Sequence, residues 1–365
     1  MGERRARSGI MAPVSKRLSV NPVTPSRRAC GHRVGPSHGA IALVAAAAGG
    51  LLLLWLSPGT AGAAVRSATA TIGTGTQHAV ADQLTWWRAA ILGIVEGITE
   101  YLPISSTGHL LVTARILGLP HDKGTKELEA LNTYVVAIQF GAIVAVGGLF
   151  WKRFRDMVLG LFGRSAEGRH LLIVVVIAFL PSAILGAAFD KKIEEKLFGP
   201  WPVVIAWIIG GIVILALEKT HRIPDKGVPA DPTSRGILDI TYRQALIIGL
   251  AQCLALWPGT SRSLTTILAA LLLGVSMAAA VEFSFILGFA TLTAATLYKL
   301  LKDGGTLVDT FGVVNPLIGA FFAFVSAVLA IKWLVSYLQK HNLSIFAWYR
   351  FAVAALAIGL ALTVF

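Results

Sequence analysis

EGITEYLPISSTGH, residues 96–109, sets two carboxylates, a run of three hydroxyls and an imidazole inside an otherwise apolar segment, 88–118. Pro103 cannot continue a helix, so the segment divides into two arms. Each arm has about 15 residues and reaches about 22 Å, short of the ~30 Å hydrocarbon core of a bilayer. The segment therefore reads as a re-entrant hairpin that enters and leaves the membrane on one side. A second broken segment, 243–273, turns at Pro258 and carries WPGTSRS, residues 257–263.

The rest of the chain fits this frame. Of 365 residues, 55% are hydrophobic and 14% charged, and the mean hydropathy is +0.71, which excludes a soluble globule. The apolar runs are continuous rather than alternating, which argues for helices and against a β-barrel. Three unbroken spans follow the first hairpin, at 131–151, 170–189 and 201–218. Three more follow the second, at 279–300, 314–338 and 345–364. ILGIVEGITEYLPISSTGH lies on IIGLAQCLALWPGTSRS with Gly93 on Gly249, Glu96 on Gln252 and, after a one-residue gap, Pro103 on Pro258. LPSAILGA around Ser182 similarly matches FVSAVLAI around Ser326. This is the mark of an internal repeat. Three spans per half is an odd number, so the second half is inverted relative to the first. The expected fold is an all-α integral membrane protein, an inverted repeat in which each half is a re-entrant helical hairpin plus three transmembrane helices. The halves are 85–218 and 242–365 of one membrane domain, 85–365, with the site where the hairpins meet.

The net charge of +13 does not signal nucleic acid, because the basic residues sit in the N-terminal tail and between spans. Their expected partners are membrane lipids with anionic headgroups. Loops 152–169, 219–243 and 332–344 hold twelve Lys or Arg against seven in 119–130, 190–200 and 299–313, which places the first set in the cytoplasm and opens the first hairpin outward. Residues 1–39, with eight Lys or Arg and the single acid Glu3, read as a basic disordered tail. Residues 40–63 read as a signal peptide, with Ala61-Gly62-Ala63 as its cleavage site, or as an extra transmembrane helix; 64–84 is a linker. Cys30 and Cys253 are too far apart in character to imply a disulfide framework.

Glu96 and Glu100, four apart, share a helix face and suit a divalent cation, Mg²⁺ or Ca²⁺, or a shared proton. A structural pair neutralised by a buried Arg is the competing reading. Ser105, Ser106 and Thr107 open the second arm, where hydroxyls and unpaired N–H groups favour an anion. Ser106 and His109, three apart, are placed for proton exchange. Thr260, Ser261 and Ser263 surround Arg262 at the matching point of the second hairpin. A guanidinium there calls for an anionic partner, Glu100 or a ligand phosphate. Such a set suits cleavage of a phosphoanhydride or phosphoester on a lipid.

EGITEYLPISSTGH and ALWPGTSRS resemble the two signature motifs of the bacterial undecaprenyl-diphosphate phosphatases of the bacitracin-resistance type, and the similarity extends over about residues 85–365. The resemblance implies a phosphatase that removes the terminal phosphate of undecaprenyl diphosphate outside the cytoplasmic membrane and recycles the carrier lipid for cell-wall synthesis. It also carries over Glu96, Glu100, Ser105, Ser106, Thr107 and His109 from one motif and Ser261, Arg262 and Ser263 from the other. Leu264-Thr265-Thr266 replaces the family's usual Gly-Ala-Thr, a departure that bears on hairpin packing.

In the expected roles, Ser106 is or orients the nucleophile, His109 exchanges protons, Glu96 and Glu100 bind metal or position water, and Arg262 grips the diphosphate. Covalent and direct water attack both stay open, as does a homo-oligomer. The rival reading is a lipid-carrier transporter, since inverted repeats with broken helices also build alternating-access machines. The acid-phosphatase-like membrane superfamily is excluded, because the position where it requires His holds Leu268.

Overall fold

A computed structural model describes residues 84–120, 125–221, 223 and 234–363. The basic tail 1–39, the apolar run 40–63 and all of the linker except Leu84 lie outside these residues. The described residues hold eleven α-helices and no strand. In chain order they are α1 (Trp86–Thr99), α2 (Ser106–Ile116), α3 (Lys126–Leu149), α4 (Trp151–Leu161), α5 (Ala166–Leu197), α6 (Pro200–Lys219), α7 (Tyr242–Gln252), α8 (Arg262–Leu272), α9 (Met277–Phe311), α10 (Val314–Leu338) and α11 (Ser344–Thr363).

Six of these, α3, α5, α6, α9, α10 and α11, are long and apolar enough to cross a bilayer. The helix pairs α1/α2 and α7/α8 are the two broken segments, and none of their four arms exceeds 14 residues. Side-chain caps start several helices: Thr125 accepts from Leu128 N–H, Ser165 from Gly168 N–H and Ser276 from Ala279 N–H. Two stretches differ from the expected loops. The cationic WKRFRDMVLGL forms α4, which lies along α5, and α9 continues past Leu300 to Phe311. Asp303 in that continuation is buried and paired with Lys299 at 2.7 Å, four residues back.

The helices pair across the chain rather than along it. Arm α1 packs on α10, and arm α7 packs on α5; α3 packs on α9, and α6 on α11. Both arms approach their partners by glycine. A Cβ on Gly93 would strike the Gly319 carbonyl of α10, and one on Gly249 the Ala178 carbonyl of α5. The two serines matched in sequence also sit alike. Ser326 Oγ lies 3.5 Å from the Gly93 carbonyl, while Ser182 Oγ receives the Gln252 side-chain N–H at 2.5 Å.

Candidate functional site

The turn of the first hairpin solves a problem set by its location. Irregular backbone buried among apolar helices must satisfy its polar groups within the protein. Four successive carbonyls do so, each from a different side chain. Leu102 O accepts from Ser263 Oγ of α8 at 2.8 Å, and Pro103 O from Arg350 Nε of α11 at 2.9 Å. Ile104 O accepts from Trp207 Nε1 of α6 at 2.9 Å, and Ser105 O from His109 Nδ1 of α2 at 2.6 Å.

Arg350 reaches the second turn as well. Its Nη2 donates to Thr260 O at 2.8 Å and its Nη1 approaches Gly259 O at 3.4 Å and Ala206 O at 3.5 Å. The residue is fully buried, and a Cβ on Gly210 of α6 would occupy the place of its guanidinium. One cation thus ties both turns together. Sequence reasoning passed over it, although a lone guanidinium in an apolar span is itself a signal.

Both second arms begin on a serine in the left-handed region, Ser105 at φ 73° and Ser261 at φ 76°. Such a conformation costs a non-glycine residue about 1–3 kcal/mol and persists only where surroundings enforce it. Ser261 also caps its helix, accepting from Leu264 N–H at 3.3 Å, and its Oγ lies 3.0 Å from Ser263 Oγ. Ser105 makes no side-chain cap; its buried carbonyl is the group that His109 engages.

Glu100, at the end of α1, joins the hairpins. Its Oε2 accepts from Ser106 Oγ at 2.5 Å and its Oε1 from Arg262 Nη2 at 2.9 Å. Arg262 also donates to Ser284 O at 2.9 Å, lies 5.2 Å from the Tyr101 ring centroid, and rests where a Cβ on Gly288 of α9 would otherwise stand. Ser284 Oγ in turn lies 2.7 Å from Thr266 Oγ1. Of the expected residues, Glu100, Ser106, Arg262, Ser261 and Ser263 therefore form one network with the two turns. Thr107 stands half-buried in the first turn of α2, and Thr260 contributes its carbonyl to Arg350.

The Ser106–His109 pair expected from their spacing is not formed. Ser106 gives its hydrogen to Glu100, and His109 turns away between Ser105 O and Tyr349, whose hydroxyl lies 2.9 Å from Nε2. A carboxylate with two accepting oxygens outcompetes a neutral imidazole for a hydroxyl hydrogen.

Glu96 is fully buried one helical turn before Glu100, and neither of its oxygens has a hydrogen-bond partner of sound geometry, although Gln139 lies near. No cluster of three or more His, Cys, Asp or Glu forms among the described residues. The donors fit a cation that takes one or two carboxylates and completes its shell from ligand phosphates, as Mg²⁺ does, rather than an all-protein cage.

Six helices long and apolar enough to cross a membrane, with two turns joined through a buried carboxylate, hydroxyl and guanidinium, define a polytopic membrane protein with a polar site between broken helices. The chain belongs to the family described as bacitracin resistance protein BacA, which it matches over residues 89–356. It is 42% identical over 277 residues to an undecaprenyl-diphosphatase of Sorangium cellulosum, covering 75% of this chain and 86% of that one. It is 44% identical over 271 residues to an undecaprenyl-diphosphatase of Nitrosomonas europaea, covering 74% and 92%. To undecaprenyl-diphosphatase 2 of Rhodospirillum rubrum it is 42% identical over 275 residues, covering 75% and 94%.

Proposed function

We propose that this chain is a membrane hydrolase that converts undecaprenyl diphosphate to undecaprenyl phosphate and inorganic phosphate, returning the carrier lipid to cell-wall synthesis and opposing bacitracin. The observation that carries the site assignment is the sharing of one carboxylate: Glu100 holds the Ser106 hydroxyl on one oxygen and the Arg262 guanidinium on the other. Family membership and the relatives' activity support the substrate.

Glu100 rather than His109 is the base for Ser106. Ser106 Oγ attacks the terminal phosphorus while its proton passes to Glu100 Oε2. The bond from that phosphorus to the bridging oxygen breaks, and undecaprenyl phosphate leaves with the bridging oxygen as part of its phosphate. Water then attacks the phosphoserine, giving up a proton to His109, while Glu100 returns its proton to Ser106 Oγ as the P–Oγ bond breaks and phosphate is released. Arg262 and the N–H groups opening α2 and α8 oppose the charge on the equatorial oxygens. Glu96, with Glu100, would hold a divalent cation, which when bound supplies further positive charge to the diphosphate.

The Lys and Arg distribution supports a cytoplasmic-membrane protein whose site faces outward. The exchange of α1 and α7 between halves, with like spans paired, supports an inverted repeat of 85–218 and 242–365. Phosphate release from undecaprenyl diphosphate by purified protein in detergent tests the function, with and without a chelator for the metal. Acid quenching then separates the routes: a phosphoryl group on Ser106 is expected. Retained release by Ser106→Ala would refute the attack by Ser106.

A further inference from the structure

His109 is held from two sides. The carbonyl of Ser105 can only accept, so Nδ1 carries the hydrogen in their 2.6 Å contact. In the neutral ring Nε2 is then the acceptor, and the Tyr349 hydroxyl donates to it at 2.9 Å. The two rings stack at 5.6 Å and 11°, while Trp207 meets the other side of the imidazole edge-on at 5.2 Å. Both partners select the same tautomer. The neighbouring Arg350 fixes α11 against both turns, so the phenol has little freedom to leave. Tyr349 is 40% exposed, and its hydroxyl reaches His109.

We infer that Tyr349 is a positioning residue for phosphate release, which holds the His109 ring with hydrogen on Nδ1 and the Nε2 lone pair turned to the phenol. The inference rests on the phosphatase reading and on participation of His109 in it. The role is to orient, since Tyr349 acts only through the imidazole. One hydrogen bond sets a tautomer ratio of about two- to tenfold, so its loss mixes the two ring forms without emptying the site.

The test is a kinetic cycle on the full chain in detergent, with undecaprenyl diphosphate as substrate. Tyr349→Phe keeps the stacked ring and removes only the donor. It is expected to lower kcat about two- to tenfold with KM within about twofold of the native value. In a His109→Ala background the same change should have no further effect, because the group it acts through is gone. Nitrogen-15 spectra of histidine-labelled protein, with the His109 signals assigned by that variant, should show one tautomer in the native chain and an averaged pair in Tyr349→Phe. An unchanged kcat in Tyr349→Phe, losses that multiply in the double variant, or an unchanged tautomer would each overturn the proposal. Full activity in His109→Ala would instead remove His109 from the reaction, and with it the kinetic role, while the spectra still report whether Tyr349 sets the ring.

Discussion

Arg262 and Glu100, 162 positions apart in the chain, meet at 2.9 Å with side chains only 11% and 5% exposed. Breaking a buried pair from one side leaves an uncompensated charge and costs about 3–5 kcal/mol, whereas replacing both members by neutral groups costs far less. Glu100→Gln and Arg262→Met should therefore each melt well below the native protein, while the double variant recovers most of the loss. None of the three should release phosphate at more than about one-hundredth of the native rate. Thermal melts in detergent beside a phosphate assay check both halves of the statement.

Gly288 lies beneath Arg262, and a methyl group there displaces the guanidinium rather than the backbone. Misplacement of a catalytic group by about 1 Å costs on the order of a hundredfold in rate. Gly288→Ala is expected to lower kcat by about ten- to a hundredfold while leaving the helices folded by circular dichroism.

Arg350 presents three nitrogens to carbonyls of both turns, and a lysine ammonium cannot reproduce that fork. Each carbonyl left without a donor costs about 1–3 kcal/mol. Arg350→Lys should lower the melting temperature and open the turns to protease. Gly210→Ala, which crowds the same guanidinium from α6, should do so in the same direction.

Ser105 has the backbone of a glycine without the cap that Ser261 makes. Ser105→Gly is expected to melt at or above the native temperature, and Ser105→Val below it, because a β-branched residue tolerates positive φ poorly. Ser261→Gly gains the same relief but loses the hydrogen bond to Leu264 N–H, so its gain should be smaller.

How much of this was legible in the sequence depends on the physical signal. Pro103 and Pro258 mark both breaks because proline cannot continue a helix, and the polar residues beside them stand out against apolar spans. Helix α4 was hidden because Lys152, Arg153 and Arg155 give it the hydropathy of a loop, although Arg153 pairs with Glu282 of α9 at 2.7 Å. The partner of Ser106 was misjudged because spacing along α2 favours His109, whereas Glu100 approaches from across the turn. Arg350 stands out in the sequence as a lone guanidinium in an apolar span, but its partners are carbonyls, which no residue letter advertises.

The crossed pairing of the helices has a consequence for how the protein is made. Arm α1 rests on α10, which is completed about 240 residues later, a delay of roughly 10–50 s at a synthesis rate of about 5–20 residues per second. During that interval Glu96, Glu100 and the carbonyls of the first turn have neither α10 nor Arg262, Trp207 and Arg350 beside them in final form. Until those later helices arrive, the polar groups of the first hairpin must be satisfied by water or by other partners.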